Sequence, residues 1–173
     1  HMHNVHDDSL ARMSRSFRED YWPLGILEPM PVNDLSENKV RAFYYASTWN
    51  HLYNSLVLCQ FMPYSPNQVV DLVRDITGWN VSLWELMKSS ERGQQMARLF
   101  NLRCGFGADD DRLPPRFYEP FADGPLAGVA LNPDGFNRAL ALYYGMMGWD
   151  DQGRPTAARL AELGLGWVRG ADA

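Results

Sequence analysis

The chain has 173 residues, 46% hydrophobic and 21% charged, with a formal net charge of -5, which describes a single domain able to bury its own core. The acidic balance and the lack of a Lys/Arg run exclude a nucleic-acid surface, and no apolar run reaches the roughly 18 residues of a membrane span. No charged-then-apolar leader is read, and two cysteines make no disulfide framework, so the expected setting is reducing and cytoplasmic.

His1-Met2 reads as a cloning remnant, and His3 and His6 as part of a disordered end. Leu10, Met13 and Phe17 share a face, which predicts a short helix over Ser9 to Asp20. Pro23, Pro29 and Pro31 predict an extended connector up to Val32. Asp34-x-x-Glu37 reads as a capping box with Asp34 as N-cap, leading into one long helix over Ala42 to Phe61 that Pro63 ends. The apolar residues of that helix, including Phe43, Tyr44, Leu52, Leu56, Val57 and Leu58, cover most of its circumference, so it is expected to be buried on more than one side. Ser47, His51, Asn54 and Ser55, with Asn50 beside them, form a polar seam on it. Such groups need partners, from protein, water or a ligand, because an unpaired one costs about 1–3 kcal/mol.

Ser65-Pro66 opens a second helix that Gly78 closes. Ser82-x-x-Glu85 opens a third, to about Leu102, burying Leu83, Leu86, Met87, Met96, Leu99 and Phe100. Asn80-Val81-Ser82 fits a glycosylation sequon, read as chance in a cytoplasmic protein. Asp109 to Asp111 fits no cation-loop spacing and reads as a solvated turn. Pro114-Pro115 starts a single turn, and Val129-Ala130-Leu131 is the one strand-like piece. Asn132-Pro133 starts a fourth helix with Phe136, Leu140, Tyr143 and Tyr144 inward, and Thr156 caps a last helix that Gly164 ends. The fold expected is all-α, a compact multi-helix bundle. Phe43, Leu56, Leu58, Leu72, Ile76, Leu86, Leu99, Phe100, Phe136 and Tyr144 are expected to form one contiguous core.

Read together, Asn54-Ser55-Leu56-Val57-Leu58-Cys59, Phe100-Asn101-Leu102-Arg103-Cys104-Gly105-Phe106, Asp110-Asp111-x-Leu113-Pro114-x-Arg116-Phe117, Gly124-Pro125, Tyr143-Tyr144-x-x-x-Gly148-Trp149-Asp150, Pro155-Thr156 and Leu160-Ala161-Glu162-Leu163-Gly164-Leu165 resemble the C-terminal helical part of the tungsten-pterin aldehyde ferredoxin oxidoreductases. The likeness runs in order from about Asn33 to Leu165, and several linked motifs are more specific than any one. It implies a tail and connector over 1–32, the family's C-terminal helical domain over 33–165, and a tail over 166–173.

The family pattern Asp-x-x-Gly-Leu-Cys ends a helix. Its Asp helps bind a pterin, and its Cys is the last ligand of a 4Fe–4S cluster. Leu58 and Cys59 match it, whereas Asn54 replaces the Asp, Val57 the Gly and, further on, Cys104 a usual Glu. The resemblance thus implies Asn54 and Leu58 as cofactor-binding residues and Cys59 as a metal ligand. No catalytic set stands out: His51 is the only histidine outside the tail and lies about 12 Å along the helix from Cys59. A cluster needs four thiolates or close substitutes. Cys59 and Cys104 are isolated, and no glycine-rich phosphate loop is present, so no cofactor is expected in the isolated chain, although the family uses tungstopterin and 4Fe–4S.

Two readings follow. One is the C-terminal part of an aldehyde ferredoxin oxidoreductase-like enzyme, inactive alone, completed by a separate N-terminal cofactor-domain chain and passing electrons to ferredoxin. The alternative is a non-catalytic helical binding or assembly module derived from that family, which Asn54, Val57 and Cys104 favour. An exposed, partly apolar face is expected beside the Asn54–Cys59 end, with self-association as its consequence.

Overall fold

The computed structural model describes residues 21–27, 30–31, 33–62 and 64–168. The helix expected over Ser9 to Asp20, the tail histidines and Pro63 lie outside these residues. Among the described residues five α-helices follow in order: α1 Glu37–Ser55, α2 Pro66–Thr77, α3 Leu83–Arg103, α4 Pro133–Met147 and α5 Ala157–Glu162. Short 3-10 turns lie at Trp22–Leu24, Ala108–Asp110 and Pro115–Tyr118. Among the described residues there is no strand, only isolated bridges between Phe121 and Ala127 and between Trp149 and Pro155. The expected strand at 129–131 is instead a loop, whose backbone bonds tie Leu131 to Phe117 and Val129 to Phe121.

The helix starts are set by side chains taking up otherwise orphaned backbone N–H groups. Ser65 with Gln68 and Ser82 with Glu85 form reciprocal capping boxes. Asn132 and Thr156 each accept from the N–H three residues on. The start of α1 differs from expectation. Ser36, not Asp34, is its N-cap, and Asp34 braces Ser36 by accepting from its N–H at 2.9 Å and its hydroxyl at 2.7 Å. The helix also ends six residues before Phe61, at Ser55, for a reason set out in the next subsection.

α1 is the hub. It packs on α3 along one side, on α4 along another and on the Trp22–Leu24 turn. Trp49, Leu52 and Tyr53 join Leu24, Val69, Val70, Val73 and Leu86 in the main apolar cluster. Ala42 and Ala46 pack with Ile26 on a second face. A third cluster, Leu99 with Leu160, Leu163 and Leu165, fixes α5 to α3. Among the described residues the core is thus three clusters rather than the one contiguous set expected. Leu86, Leu99 and Tyr144 are buried as expected, and Leu56, Leu58, Leu72 and Phe136 are half-buried. Phe43, Ile76, Met96 and Phe100 are exposed. On α3 the reason is specific: the inward face carries Ser90, Glu91, Gln95 and Arg98, and Met96 and Phe100 stand off that face.

The polar seam of α1 is largely satisfied within the helix. Ser47 donates to Tyr44 O, Asn50 to Ala46 O and Ser55 to His51 O. Such back-bonding to the preceding turn is how short polar side chains are accommodated mid-helix. His51 lies against α3 at Gly93, where a Cβ would stand 3.4 Å from His51 Cε1. Its Nδ1 is buried and finds no partner among the described residues.

Candidate functional site

The end of α1 carries the residues that the sequence singled out, and its backbone explains their order. Leu58 N donates to Tyr53 O and Val57 N to Asn54 O, at 2.9 and 3.2 Å. Those are the two bonds of a Schellman closure, with Val57 at C′ and Leu58 at C″. The C′ position requires a left-handed residue, and Val57 has φ +57. Glycine meets that demand without cost, whereas a β-branched residue there is an outlier. Leu58, at C″, turns back onto the cluster holding Tyr53, the apolar contact that accompanies this motif.

The surroundings of each residue differ. Asn54 is exposed and its Oδ1 accepts from Gln60 Nε2 at 3.1 Å. Cys59 is an exposed free thiol, and so is Cys104. Val57 is 90% exposed and Phe61 86%. With Met62, they give this end the uncovered apolar face that the sequence predicts. One thiol, one amide already paired to Gln60, and an isopropyl group do not by themselves fit a four-iron cluster, which needs about four thiolates. Nor do they fit a pterin: the N–H groups of Val57 and Leu58 are spent on closing the helix. Among the described residues no three His, Cys, Asp or Glu side chains gather to hold a metal ion.

Two buried polar networks lie elsewhere, and the sequence reading missed both. In one, Tyr44 of α1 donates to Glu91 Oε1 of α3 at 2.6 Å. Arg159 of α5 reaches Glu91 at 2.9 Å and Glu162 at 2.6 Å, and Lys88 bridges the same two acids. Burial, then the Glu91 carboxylate, pushes the Tyr44 hydroxyl well above the ordinary phenol range. Burial opposes charge on Lys88 and Arg159, but the acids outweigh it and raise both.

In the other network, Arg98 of α3 donates to Gly153 O at 2.7 Å and pairs with Asp111 at 2.7 Å. The guanidinium lies 4.6 Å from the Trp149 ring centroid, a cation–π contact. Tyr144 also donates to Asp111. Burial first, then that bond, pushes its hydroxyl up to about 12. Gln95 links Met147 O and the Trp149 indole N–H. Asp111 is therefore an ion-paired acid, not part of the solvated turn expected, while Asp109 and Asp110 remain exposed. The available signal was the polar inward register of α3 at 90, 91, 95 and 98. Neither network contains a nucleophile beside a base, and both act as staples between helices.

A family profile described as aldehyde ferredoxin oxidoreductase, domains 2 and 3, matches residues 6–165. The tungsten-containing aldehyde ferredoxin oxidoreductase of Pyrococcus furiosus is 32% identical over 146 residues, which cover 82% of this chain and 24% of that protein. The protein of the same name from Thermococcus kodakarensis is 31% identical over the same shares. The aliphatic sulfonate oxidoreductase WOR-like subunit of Pyrococcus furiosus is 30% identical, covering 66% of this chain and 19% of that one. This chain thus spans about a quarter of the curated relatives or less. Among solved structures, the active-site complex BamBC of benzoyl coenzyme A reductase with 1,5-dienoyl-CoA shares the fold. Its TM-score is 0.64 at 20% identity, over 94% of this chain and 25% of that one.

Proposed function

The chain belongs to the aldehyde ferredoxin oxidoreductase family, matching its domains 2 and 3, and from that premise we propose that it is the C-terminal, cofactor-facing part of a larger oxidoreductase of this kind. The reaction proposed converts an aldehyde and water to a carboxylic acid, two protons and two electrons, with ferredoxin as acceptor. A separate cofactor-bearing chain would supply the tungstopterin and the remaining cluster thiolates. By the family pattern Asn54, Leu58 and Cys59 would face that chain's cofactors without holding them by themselves. The observation that carries this reading is the uncovered face at 57–62 beside the family positions Asn54, Leu58 and Cys59. Large apolar side chains left in water mark a surface built to be covered. Two unpaired cysteines support a reducing, cytoplasmic setting.

Val57 favours the second reading, a non-catalytic assembly module. Its side chain projects from the position where glycine would leave the backbone bare, and Asn54 supplies no negative charge. The test is anaerobic purification of the chain, alone and co-expressed with the remaining N-terminal part of the Pyrococcus furiosus relative, followed by metal analysis and aldehyde-dependent dye reduction. Tungsten, iron and turnover in the co-expressed pair, with none in the chain alone, is the result expected. Turnover by the chain alone overturns the need for a partner. A stable pair without turnover favours the assembly module, and no pairing removes the cap reading.

A further inference from the structure

Residues 104–132, between α3 and α4, include no buried residue. Their order comes from their own backbone: Phe121 N donates to Val129 O, Gly128 N to Phe121 O and Leu131 N to Phe117 O. Phe106, Phe117 and Phe121 are exposed, and Leu113, Leu126, Val129 and Leu131 are only half-buried, so no fully buried apolar side chain holds this strap to the helices. Beside the Phe106 N–H bond to Asn101 O at 3.0 Å at its start, two side-chain contacts tie the strap to the helices. Tyr118 meets Phe136 edge-on at 6.5 Å between centroids. Asp111 accepts from Arg98 at 3.1 and 2.7 Å, and from Tyr144.

We propose that residues 105–131 open and close as one unit, separately from the helical body, and that Asp111 is the latch. The free energy of local opening follows the apolar contact that is lost, and here that contact includes no fully buried side chain of the strap. The latch is a short set of charge-assisted bonds, stronger than neutral ones and confined to one point. Its release has a defined consequence. It uncovers the Arg98 guanidinium and the Tyr144 hydroxyl, both buried when the strap is closed. It also removes the Ala108 wall from a cleft of about 390 Å³ floored by Tyr144, Gly145 and Trp149.

The test is site-resolved hydrogen–deuterium exchange on the full chain at neutral pH. In the wild type, the bonded amides of Phe121, Gly128, Val129 and Leu131 are expected to exchange together. They should do so at least about a hundredfold faster than the amides in the middle of α3. Asp111→Asn should accelerate those strap amides by roughly ten- to a hundredfold, the worth of bonds to a charged group, and leave α1 and α2 unchanged. Asp111→Glu should restore part of the protection. Strap amides that exchange at α3 rates, or at four unrelated rates, overturn the proposal on the wild type alone. So does an Asp111→Asn variant in which every helix accelerates equally.

Discussion

Replacing Val57 by glycine should stabilise this protein. Val57 sits at φ +57 with 90% of its surface in water. An L-residue in the left-handed region costs roughly 1–2 kcal/mol, and a branched Cβ adds to that. Glycine removes the cost but gives the unfolded chain more freedom, worth about 0.5–1 kcal/mol in the opposite direction. Because the side chain touches almost nothing, no burial is lost with it. The balance is a gain of about 1 kcal/mol, or roughly 2–4 °C in melting temperature at this size. Val57→Ala keeps a Cβ in the left-handed region and relieves only the branching, so it should gain less. Urea and thermal unfolding of the three proteins, followed by circular dichroism, measure this. A glycine variant equal to or weaker than the wild type would show that the isopropyl group packs against something, and the account of this helix end would fail.

Other outcomes follow from the same geometry. Gly153→Ala places a Cβ 2.0 Å from Arg98 Nη2 and should cost about 3–5 kcal/mol by displacing one member of a buried pair. Gly164→Ala, left-handed with open space around it, should cost about 1 kcal/mol by urea unfolding. Tyr44, Tyr143 and Tyr144 are all raised above the phenol value of 10.0, burial first among the causes. A raised folded pKa binds the proton more tightly in the native state. Its stability is therefore full below the unfolded value and lost as pH rises toward the folded one. Unfolding free energy should fall above pH 10, and Tyr144→Phe should flatten the part of that fall reaching to about pH 12, read by alkaline titration of stability. The apolar end at Val57, Phe61 and Met62 should drive self-association in the isolated chain, reduced by Phe61→Asp. Light scattering that finds a monomer at high concentration for both proteins would refute it.

Elements announced by a local rule were legible in the sequence. Ser65, Ser82, Asn132 and Thr156 cap where they stand because capping needs only a side chain and the next turn. The end of α1 was misplaced because its stop signal is a valine doing the work of a glycine, and no residue-type rule reads that. Phe43, Ile76 and Phe100 are exposed against expectation, and for Phe100 the reason is that apolar type does not fix facing once a helix turns polar groups inward. On α3 those are Glu91 and Arg98, and their partners at 159 and 111 lie far along the chain. The candidate site was legible as positions, since Leu58 and Cys59 lie on a defined cap. Its chemistry was not, because one exposed thiol and one exposed amide name no reaction by themselves.

The link between Tyr44 and Arg159 joins residues 115 apart in sequence, and it bears on the order in which the chain can assemble. A chain emerging from its N-terminus can build α1, α2 and α3 from neighbouring segments, but at that stage Glu91 has the Tyr44 hydroxyl and Lys88 as partners and not yet Arg159. Arg159, whose guanidinium anchors to Glu91 and Glu162 together, arrives last. A helix as short as α5 does not persist in water by itself, so α5 can form only on a surface already in place. The charge balance of the interior is thus completed from the C-terminal end, and an intermediate halted before α5 docks carries a carboxylate at the bundle surface that the finished fold seals inside.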